Sequence, residues 1–256
     1  MEQKLSYNPF SLEEHTVLIT GASSGIGKGI AIECAKLGAS VVITGRNKER
    51  LEETFSNLDT SLNQKHFLQI CDLTDENAIK EFVSNIPQID GLVNCAGIFT
   101  PLLFKFVHAE QIHSVIECNF SSAALLTQAI LSAKKINKGG SFVFISSING
   151  TKISSPGSAL YASSKAALCG LSKALAIECA NRGIRSNTIT PGMVDTHILD
   201  NGTITTEQLD EDRKKYPLGR YGTVEDIAHA AAFLLSDASC WMTGTDLLID
   251  GGYTLL

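Results

Sequence analysis

The sequence predicts an α/β fold: a single, doubly wound domain in which one parallel sheet is covered by helices on both faces. Apolar runs rich in Val, Ile and Leu alternate with amphipathic segments along the chain. The runs are continuous, which is typical of strands buried on both faces. No Pro-, Ser- or Gly-rich linker and no internal repeat interrupts the alternation. We therefore expect residues 1–256 to form one domain.

The elements follow in a regular order that predicts a seven-stranded sheet. The first strand leads into a glycine-rich loop, after which apolar residues recur at helical spacing until Gly38. The predicted strands are 16–20, 40–44, 66–70, 90–94, 141–146, 184–190 and 245–249. The predicted helices are 26–37, 47–57, 75–86, 109–135, 159–181 and 223–236. The segment 195–221 is polar, acidic and too long for an ordinary connection, so we interpret it as a substrate lid.

Composition excludes several classes of protein. Apolar residues make up 44%, charged residues 19%, and the mean hydropathy is +0.10, which indicates a buried core and argues against a disordered, collagenous or coiled-coil chain. The formal charge is −6 with no basic run, which argues against nucleic-acid binding. Apolar runs stay well below about 18 residues and the chain opens without a secretory core, so we expect neither a membrane span nor export.

The seven cysteines are an odd number without a C-x-x-C pair, and most lie in apolar periodic segments. We interpret them as small buried side chains of a protein in the reducing cytoplasm. None of the six histidines stands at zinc-finger spacing from a cysteine, so we expect no metal site.

The loop after the first strand predicts a dinucleotide site. Between a strand and a helix, backbone N–H groups and the positive end of the helix dipole would meet a pyrophosphate, and glycines allow its close approach. The spacing is G-x-x-x-G-x-G, and the alternative interpretation is a plain turn. The candidate cofactor-binding residues here are Gly21, Ser23, Ser24, Gly25, Ile26 and Gly27.

The end of the second strand bears on the choice of dinucleotide. A site specific for NAD places a carboxylate there to accept from the adenosine ribose, whereas this chain reads Thr44-Gly45-Arg46-Asn47. A 2′-phosphate would fit the planar guanidinium of Arg46. The alternative is a solvated arginine at a helix start. We therefore predict that NADP(H) is preferred over NAD(H).

Four polar residues form a candidate catalytic set. Tyr161 and Lys165 lie four residues apart at the start of a predicted helix and share a face. An ammonium beside the phenol, together with a nicotinamide cation, would favour phenolate and lower the tyrosine pKa. The pair alone equally fits an exposed helix surface. Ser147 follows a predicted strand, where doubly wound folds bind ligands. Asn119 lies on an otherwise apolar helix face, where a buried amide needs a partner.

Taken in order along the chain, these residues resemble the short-chain dehydrogenase/reductase family, in its single-domain branch with a Rossmann-type fold. The resemblance covers about Thr16 to Gly252. It rests on Thr20-Gly21-x-x-x-Gly25-x-Gly27, Asp72-Leu73, Asn94-Cys95-Ala96-Gly97, Asn119, Ser147, Tyr161-x-x-x-Lys165, Pro191-Gly192-Met193-Val194-Asp195-Thr196 and Asp250-Gly251-Gly252. The family usually has Asn where Cys95 stands.

The resemblance implies hydride transfer between a nicotinamide and a carbonyl or secondary alcohol. In the family, the tyrosine matching Tyr161 exchanges the proton, and the serine matching Ser147 holds the substrate oxygen. The match of Lys165 binds the nicotinamide ribose, and the match of Asn119 sustains a water-linked proton relay. Further cofactor contacts are implied for Asp72, Leu73, Asn94, Ala96, Gly97, Pro191, Gly192, Val194 and Thr196.

The substrate is the least determined part of the prediction. The candidate pocket residues, Ile98, Phe99, Ile148, Asn149, Ser155, Met193, His197 and Ile198, are of mixed polarity. Many relatives reduce 3-oxoacyl groups on acyl carrier protein, which docks on basic residues matching Lys138 and Arg182; solubilising charges are the alternative for these two. We expect a ketoreductase of this type. The alternatives are a sugar, steroid or polyol dehydrogenase, and a catalytically silent, cofactor-binding regulator.

The resemblance also implies a homotetramer, formed through the predicted helices 109–135 and 159–181. The second of these is rich in small residues that permit close packing, namely Ala162, Ala166, Ala167, Gly170 and Ala174. The alternative is that these residues face the sheet.

Overall fold

The computed structural model describes residues 7–196 and 211–256. Its centre is a sheet of seven parallel strands in the order β3-β2-β1-β4-β5-β6-β7. The strands are β1 (Thr16–Thr20), β2 (Ser40–Gly45), β3 (Phe67–Ile70), β4 (Ile89–Asn94), β5 (Ile136–Ile145), β6 (Arg185–Pro191) and β7 (Asp246–Ile249). The strands β2 and β3 lie on one side of β1, and the strands from β4 onwards lie on its other side. The point between β1 and β4 is the kind of place at which doubly wound sheets bind ligands. The predicted α/β fold is confirmed.

The helices that connect the strands differ in how they begin. They are α1 (Gly25–Lys36), α2 (Lys48–Ser56), α3 (Glu76–Asn85), α4 (Ala109–Ile116), α5 (Ser122–Ser132), α6 (Ile148–Thr151), α7 (Ala159–Glu178) and α8 (Val224–Leu235). The side chains of Asn47, Asp75 and Thr223 cap α2, α3 and α8 by accepting from backbone N–H groups. By contrast, Ser24 before α1 makes no such bond, and the first turn of α1 holds no acidic residue.

Two apolar cores cover the sheet, one on each face. Along β5, Val143 and Ile145 point into the core that includes α1 and α8, whereas Phe142 and Phe144 point into the core that includes α3, α5 and α7. All four side chains are buried. This burial on both faces is the reason that the strands read as continuous apolar runs.

The predicted helix 109–135 is wrong as a single helix. The structure divides it into α4, a π-helical turn at Glu117–Ser121 and α5, and it starts β5 at Ile136 instead of residue 141. In the π turn the N–H of Ser122 donates to the carbonyl of Glu117, which widens the helix by one residue. Hydrophobic periodicity does not reveal such an insertion. The other boundaries agree within three residues, the predicted helix 159–181 ending at Glu178.

One helical stretch, Ala109–Ser132, is long and apolar enough to span a membrane by length and composition alone. Its inward face packs on the sheet and buries Val115, Asn119, Leu126 and Ile130. The core helix of a globular protein meets the same criterion, so the match is weak evidence for a span.

Only part of the predicted lid, 195–221, is described, because residues 197–210 lie outside the described residues. Its last part packs against the end of the chain. The ring centroid of Tyr216 lies 5.3 Å from that of Tyr221 and 4.7 Å from that of Tyr253. Tyr216 and Tyr221 are buried. The lid itself stays a prediction.

Candidate active site

The candidate residues meet at the carboxyl ends of the central strands. At the end of β1, the buried hydroxyl of Thr20 accepts from the N–H groups of Cys95 at 3.0 Å and Ala96 at 3.1 Å, which follow β4. The same hydroxyl donates to the carbonyl of Val93 at 3.4 Å. One threonine therefore fixes the glycine turn against the loop after β4.

The glycine turn is folded so closely that two of its positions, Gly21 and Gly27, have no space for a side chain. Gly21 has a φ of +66°, and a Cβ there would lie 2.9 Å from the Cα of Ala96. A Cβ on Gly27 would lie 2.4 Å from the carbonyl oxygen of Gly21. Both positions therefore require glycine. Because α1 starts without a capping side chain or an acidic residue, its first N–H groups suit an anion.

The loop after β6 lies against the glycine turn; we call the site between the glycine turn, the loop after β4 and the loop after β6 the cleft. Gly25 has a φ of +52°, and a Cβ there would lie 3.7 Å from the side chain of Thr196. Val194 is buried and forms an isolated bridge with Gly222, which holds the loop in place. The structure thus brings four predicted cofactor contacts to the edge that carries the glycine turn: Pro191, Gly192, Val194 and Thr196.

The end of β2 presents positive charge. Arg46 is exposed and makes no hydrogen bond or ion pair with any residue that the structure describes. Ser23 lies beside it, with its Oγ 3.7 Å from the position of a Cβ on Gly45. The pKa of the Asp72 carboxyl is lowered, chiefly by the N–H of Thr74 that it accepts from and to a smaller extent by Arg46. The guanidinium therefore lies near the predicted adenosine contact Asp72.

Two other predicted adenosine contacts are buried. Leu73 is 7% exposed and Asn94 is 3% exposed. Asn94 donates to the hydroxyl of Thr127 at 3.2 Å, and its Oδ1 has no partner among the described residues. Asn94 thus supports the end of β4 from inside the fold, and its contact with a cofactor stays a prediction.

The amide of Asn119 clamps the loop after β4 to the catalytic helix. The side chain is fully buried in the π turn. Its Oδ1 accepts from the N–H of Ile98 at 2.7 Å, and its Nδ2 donates to the Ile98 carbonyl at 2.9 Å. Nδ2 also donates to the hydroxyl of Ser164 at 3.0 Å, which donates to the carbonyl of Tyr161 at 2.7 Å. The buried amide therefore has the partners that its position demands.

Ser164 is a site residue that sequence reasoning missed. It is fully buried, between Tyr161 and Lys165 on α7. The sequence shows it only as a small polar residue on the inward face of the helix. The neighbouring Ser163, which is exposed, is also a serine. Only the packed structure separates the two serines.

Lys165 is almost completely enclosed. It is 4% exposed, and its Nζ donates to the carbonyl of Ile145 at 2.8 Å. A Cβ on Gly97 would lie 3.2 Å from this Nζ and 3.3 Å from the Oδ1 of Asn119. Burial lowers the pKa of Lys165. The ammonium, Gly97 and the Asn119 amide therefore meet at one place.

The pKa of Tyr161 is raised by the protein's own groups, and its predicted lowering by Lys165 together with a nicotinamide cation stays a prediction. Burial is the main cause; the Ser147 hydroxyl opposes it and Cys95 adds to it. The Nζ of Lys165 lies 5.8 Å from the Tyr161 ring centroid and is not among the causes of this shift. Tyr161 is therefore a neutral phenol at neutral pH, the form that donates a proton.

The loop after β5 is built around Ser147. The Ser147 hydroxyl accepts from the N–H of Asn149 at 3.1 Å, at the start of α6. Gly150 has a φ of +97°, and a Cβ there would lie 2.1 Å from the carbonyl oxygen of Ala162. The loop thus packs directly on the backbone of α7, which fixes Ser147 relative to Tyr161.

The candidate pocket residues divide by polarity. The Asn149 amide donates to the Ser155 hydroxyl and accepts from the Ser158 hydroxyl, both at 3.1 Å, so these polar groups bond to one another. Phe99 and Met193 are exposed, and the ring of Phe99 packs edge-on against that of Tyr161 with centroids 5.0 Å apart. Ile148 is buried. His197 and Ile198 lie outside the described residues.

Lys138 and Arg182 lie near the amino-terminal ends of β5 and β6, whereas the catalytic set lies at the carboxyl ends of the strands. Lys138 stands in the first part of β5, six residues after the end of α5. Arg182 precedes β6, and its guanidinium donates to the carbonyl of Ile136 at 2.6 Å. Ser147 follows the other end of β5, and the regular stretch from Ser141 to Ser147 alone spans about 20 Å at roughly 3.3 Å per residue. Neither residue adjoins the candidate site of its own chain.

These residues fit a nicotinamide dinucleotide. The glycine turn, the uncapped start of α1 and the unpaired Arg46 suit its phosphates, and the cleft leads past the glycine turn to Lys165 and Tyr161. Within residues 7–196 and 211–256, no group of His, Cys, Asp and Glu side chains is arranged to hold a metal ion.

Known proteins match the chain over nearly its whole length. A family profile described as Enoyl-(Acyl carrier protein) reductase matches residues 21–254. A 3-oxoacyl-[acyl-carrier-protein] reductase from Rickettsia bellii is 37% identical over 245 residues, which cover 96% of this chain and 99% of the relative. A protein of the same name from Thermotoga maritima is 36% identical over 253 residues, which cover 95% and 99%.

Solved structures share the fold as well as the sequence. A short-chain type dehydrogenase/reductase from Mycobacterium marinum has a TM-score of 0.88 and 30% identity, and the match covers 97% of this chain and 98% of that one. A short-chain dehydrogenase/reductase from Serratia marcescens has a TM-score of 0.87 and 31% identity, with 96% and 100% covered. The chain therefore belongs to the short-chain dehydrogenase/reductase family and is an oxidoreductase that acts on C=O or CH–OH groups.

Proposed function

We propose that this protein reduces 3-oxoacyl thioesters to 3-hydroxyacyl thioesters with NADPH, the acyl group being carried by acyl carrier protein. The observation that carries this proposal is the polarity of the substrate side of the cleft. Asn149 and Ser155 bond to each other, while Phe99 and Met193 are exposed. A sugar or polyol needs free donors and acceptors for its hydroxyls, whereas an acyl group needs apolar contact. The relatives from Rickettsia and Thermotoga support the same substrate class.

The side chains at the catalytic end suit the reduction of a carbonyl. When bound, the nicotinamide supplies the hydride. The hydroxyls of Ser147 and Tyr161 donate to the carbonyl oxygen as it gains charge, and Tyr161 transfers its proton to that oxygen. Because its pKa is raised, Tyr161 is protonated at neutral pH, which is the form that reduction requires. Lys165 holds the nicotinamide ribose, and Asn119 and Ser164 position the helix that carries both residues.

NADPH is the preferred cofactor in this proposal. Arg46 and Ser23 offer donors at the end of β2 to a 2′-phosphate, and no carboxylate follows that strand in Thr44-Gly45-Arg46-Asn47. A relative from Agrobacterium tumefaciens with a TM-score of 0.87 and 31% identity, whose match covers 98% of this chain and 100% of that one, contains bound NADP.

A homotetramer in the cytoplasm is part of the same proposal. The outward face of α7 carries Gly170, Ala174 and Ile177, and Ile177 is 81% exposed. Small residues beside an exposed isoleucine suit close packing against a second copy of the helix. The cysteines within the described chain are all free thiols, as in a reducing compartment. Light scattering tests the assembly, and a monomer mass would contradict it.

Loss of NADPH absorbance with a panel of substrates tests the function. We expect kcat/KM for acetoacetyl-CoA to exceed that for sugar, polyol-derived and steroid ketones by about 100-fold or more, because those substrates leave their polar groups unpaired. A steroid or sugar ketone used best would contradict the proposal. Tight NADPH binding with no turnover of any substrate would instead indicate a silent regulator.

A further inference from the structure

We propose that an exposed apolar strip on the loop after β4 binds the alkyl chain of the substrate, so that the protein prefers long 3-oxoacyl groups to short ones. The strip consists of Phe99, Leu103, Phe104 and Phe106. This inference rests on the proposed reduction of 3-oxoacyl thioesters, and it names a feature of the substrate that the proposed reaction alone does not determine.

The strip is unusually apolar for a surface loop. Its four side chains are 45%, 48%, 66% and 54% exposed, in chain order. Residues 98–107 contain no acidic side chain, and the one basic residue, Lys105, places its Nζ 4.9 Å from the centroid of the Phe106 ring. A concentration of large apolar side chains on a surface marks a binding site.

Backbone hydrogen bonds hold the loop that carries the strip. Residues Phe104–Phe106 form a 3-10 turn in which the N–H of Phe106 donates to the carbonyl of Leu103 at 2.8 Å. The N–H of Leu102 donates to the carbonyl of Gly157 at 2.9 Å. This second bond joins the loop that carries the strip to the loop that carries Ser147.

The strip begins at the catalytic tyrosine. The Phe99 ring lies edge-on to the Tyr161 ring, with centroids 5.0 Å apart, and the residue before it, Ile98, is clamped by the Asn119 amide. A carbonyl held by Tyr161 therefore places the adjoining carbon chain beside Phe99. An alkyl chain that continues along the loop meets apolar side chains, and Lys105, beside the Phe106 ring, is the one charged side chain of residues 98–107.

The size of the effect follows from the hydrophobic effect. Each methylene that is fully removed from water raises affinity by about fourfold, and partial burial on an exposed strip gives about twofold. Several methylenes together produce a clear dependence on chain length. The effect appears in KM, because the reacting carbonyl and its hydrogen bonds are the same for every chain length.

The test compares acetoacetyl-CoA with 3-oxododecanoyl-CoA, both below their aggregation concentrations, with saturating NADPH. We expect kcat/KM of the wild type to be at least about tenfold higher for the long chain. In Phe104→Ser and Phe106→Ser this ratio falls to about threefold or less, while the activity on acetoacetyl-CoA stays within about twofold of wild type. The matched control is Phe67→Ser, an exposed phenylalanine on the edge strand β3, which leaves the ratio unchanged.

The outcomes separate this inference from the proposed function. Equal kcat/KM for both chain lengths in the wild type, or a ratio that both serine variants leave intact, overturns the alkyl-binding strip and leaves the proposed function standing. Parallel loss of both activities together with a lower mass by light scattering also overturns it, because the strip is then a subunit interface. If neither thioester is reduced, the proposed function itself has failed.

Discussion

The two ends of the cleft are prepared in different ways. At the cofactor end, α1 starts without a capping side chain, and Arg46 has no hydrogen-bond or ion-pair partner among the described residues. At the catalytic end, the Asn119 amide makes three hydrogen bonds within the protein, and Lys165 is paired with a buried carbonyl. The cofactor end leaves donors for an anion to satisfy, whereas the catalytic end is organised in advance, as electrostatic catalysis requires.

The largest expected effect on this contrast is a loss of NADPH affinity in a variant of the glycine turn. We expect Gly27→Ala to lower the affinity for NADPH by about 100-fold or more, because its Cβ would lie 2.4 Å from a backbone oxygen that cannot move without opening the turn. Titration of NADPH fluorescence measures the change. In the control, Gly45→Ala, the new Cβ meets its neighbours at ordinary distances of 3.7 Å, and the affinity stays within about threefold. Wild-type affinity in Gly27→Ala would contradict the account of the turn.

A smaller effect at the same end distinguishes the two dinucleotides. Arg46→Ala is expected to lower kcat/KM for NADPH about tenfold and to leave that for NADH within about twofold, because only NADPH brings a 2′-phosphate for the guanidinium. The control is Arg50→Ala, an exposed arginine four residues further along the chain. Equal losses of kcat/KM with both dinucleotides would show that Arg46 does not bind the 2′-phosphate.

At the catalytic end, Ser164→Ala tests whether kcat can be lowered without a change in NADPH affinity. It removes the bond between the Asn119 amide and the hydroxyl that holds the Tyr161 carbonyl. Because the Tyr161 backbone is then held less firmly, we expect kcat to fall about fivefold, which corresponds to about 1 kcal/mol of activation free energy, and NADPH affinity to stay unchanged. The exposed neighbour gives the control, Ser163→Ala. A loss of NADPH affinity equal to the loss of kcat would contradict a separate role for the two ends.

The smallest expected effect is the change of kcat/KM with pH near neutrality. The ordinary tyrosine pKa is about 10, and burial raises that of Tyr161. The acid form is the active one in reduction, so kcat/KM at saturating NADPH stays flat from pH 7 to about 10 and falls only above that. Thioester hydrolysis at high pH is subtracted with protein-free controls. A fall that begins near pH 8 would show that the phenol loses its proton too early for this account.

The order of elements and the main motifs were predictable because they depend on local features. The burial of β5 on both faces appears in the sequence as an unbroken apolar run, and the glycine turn appears as glycines where the backbone leaves no space for a Cβ. Such signals need only neighbours in the sequence. The resemblance to the family rests on them.

The remaining features depend on packing between distant segments. The π turn at Asn119 is compatible with the same apolar pattern as a regular helix, so the sequence does not show it. The raised pKa of Tyr161 follows chiefly from its burial, which is not visible in the Tyr161-x-x-x-Lys165 spacing. The early start of β5 at Ile136, five residues before the predicted start at 141, is not visible because residues 137–140 are polar or glycine.

The most direct test is Tyr161→Phe, measured for chemistry and for binding in the same preparation. The account predicts that kcat with NADPH and 3-oxododecanoyl-CoA falls by about 100-fold or more, because the acid is gone. The Kd of NADPH stays within about threefold, because the glycine turn and Arg46 are untouched. A variant that keeps more than about a tenth of kcat would contradict Tyr161 as the proton donor.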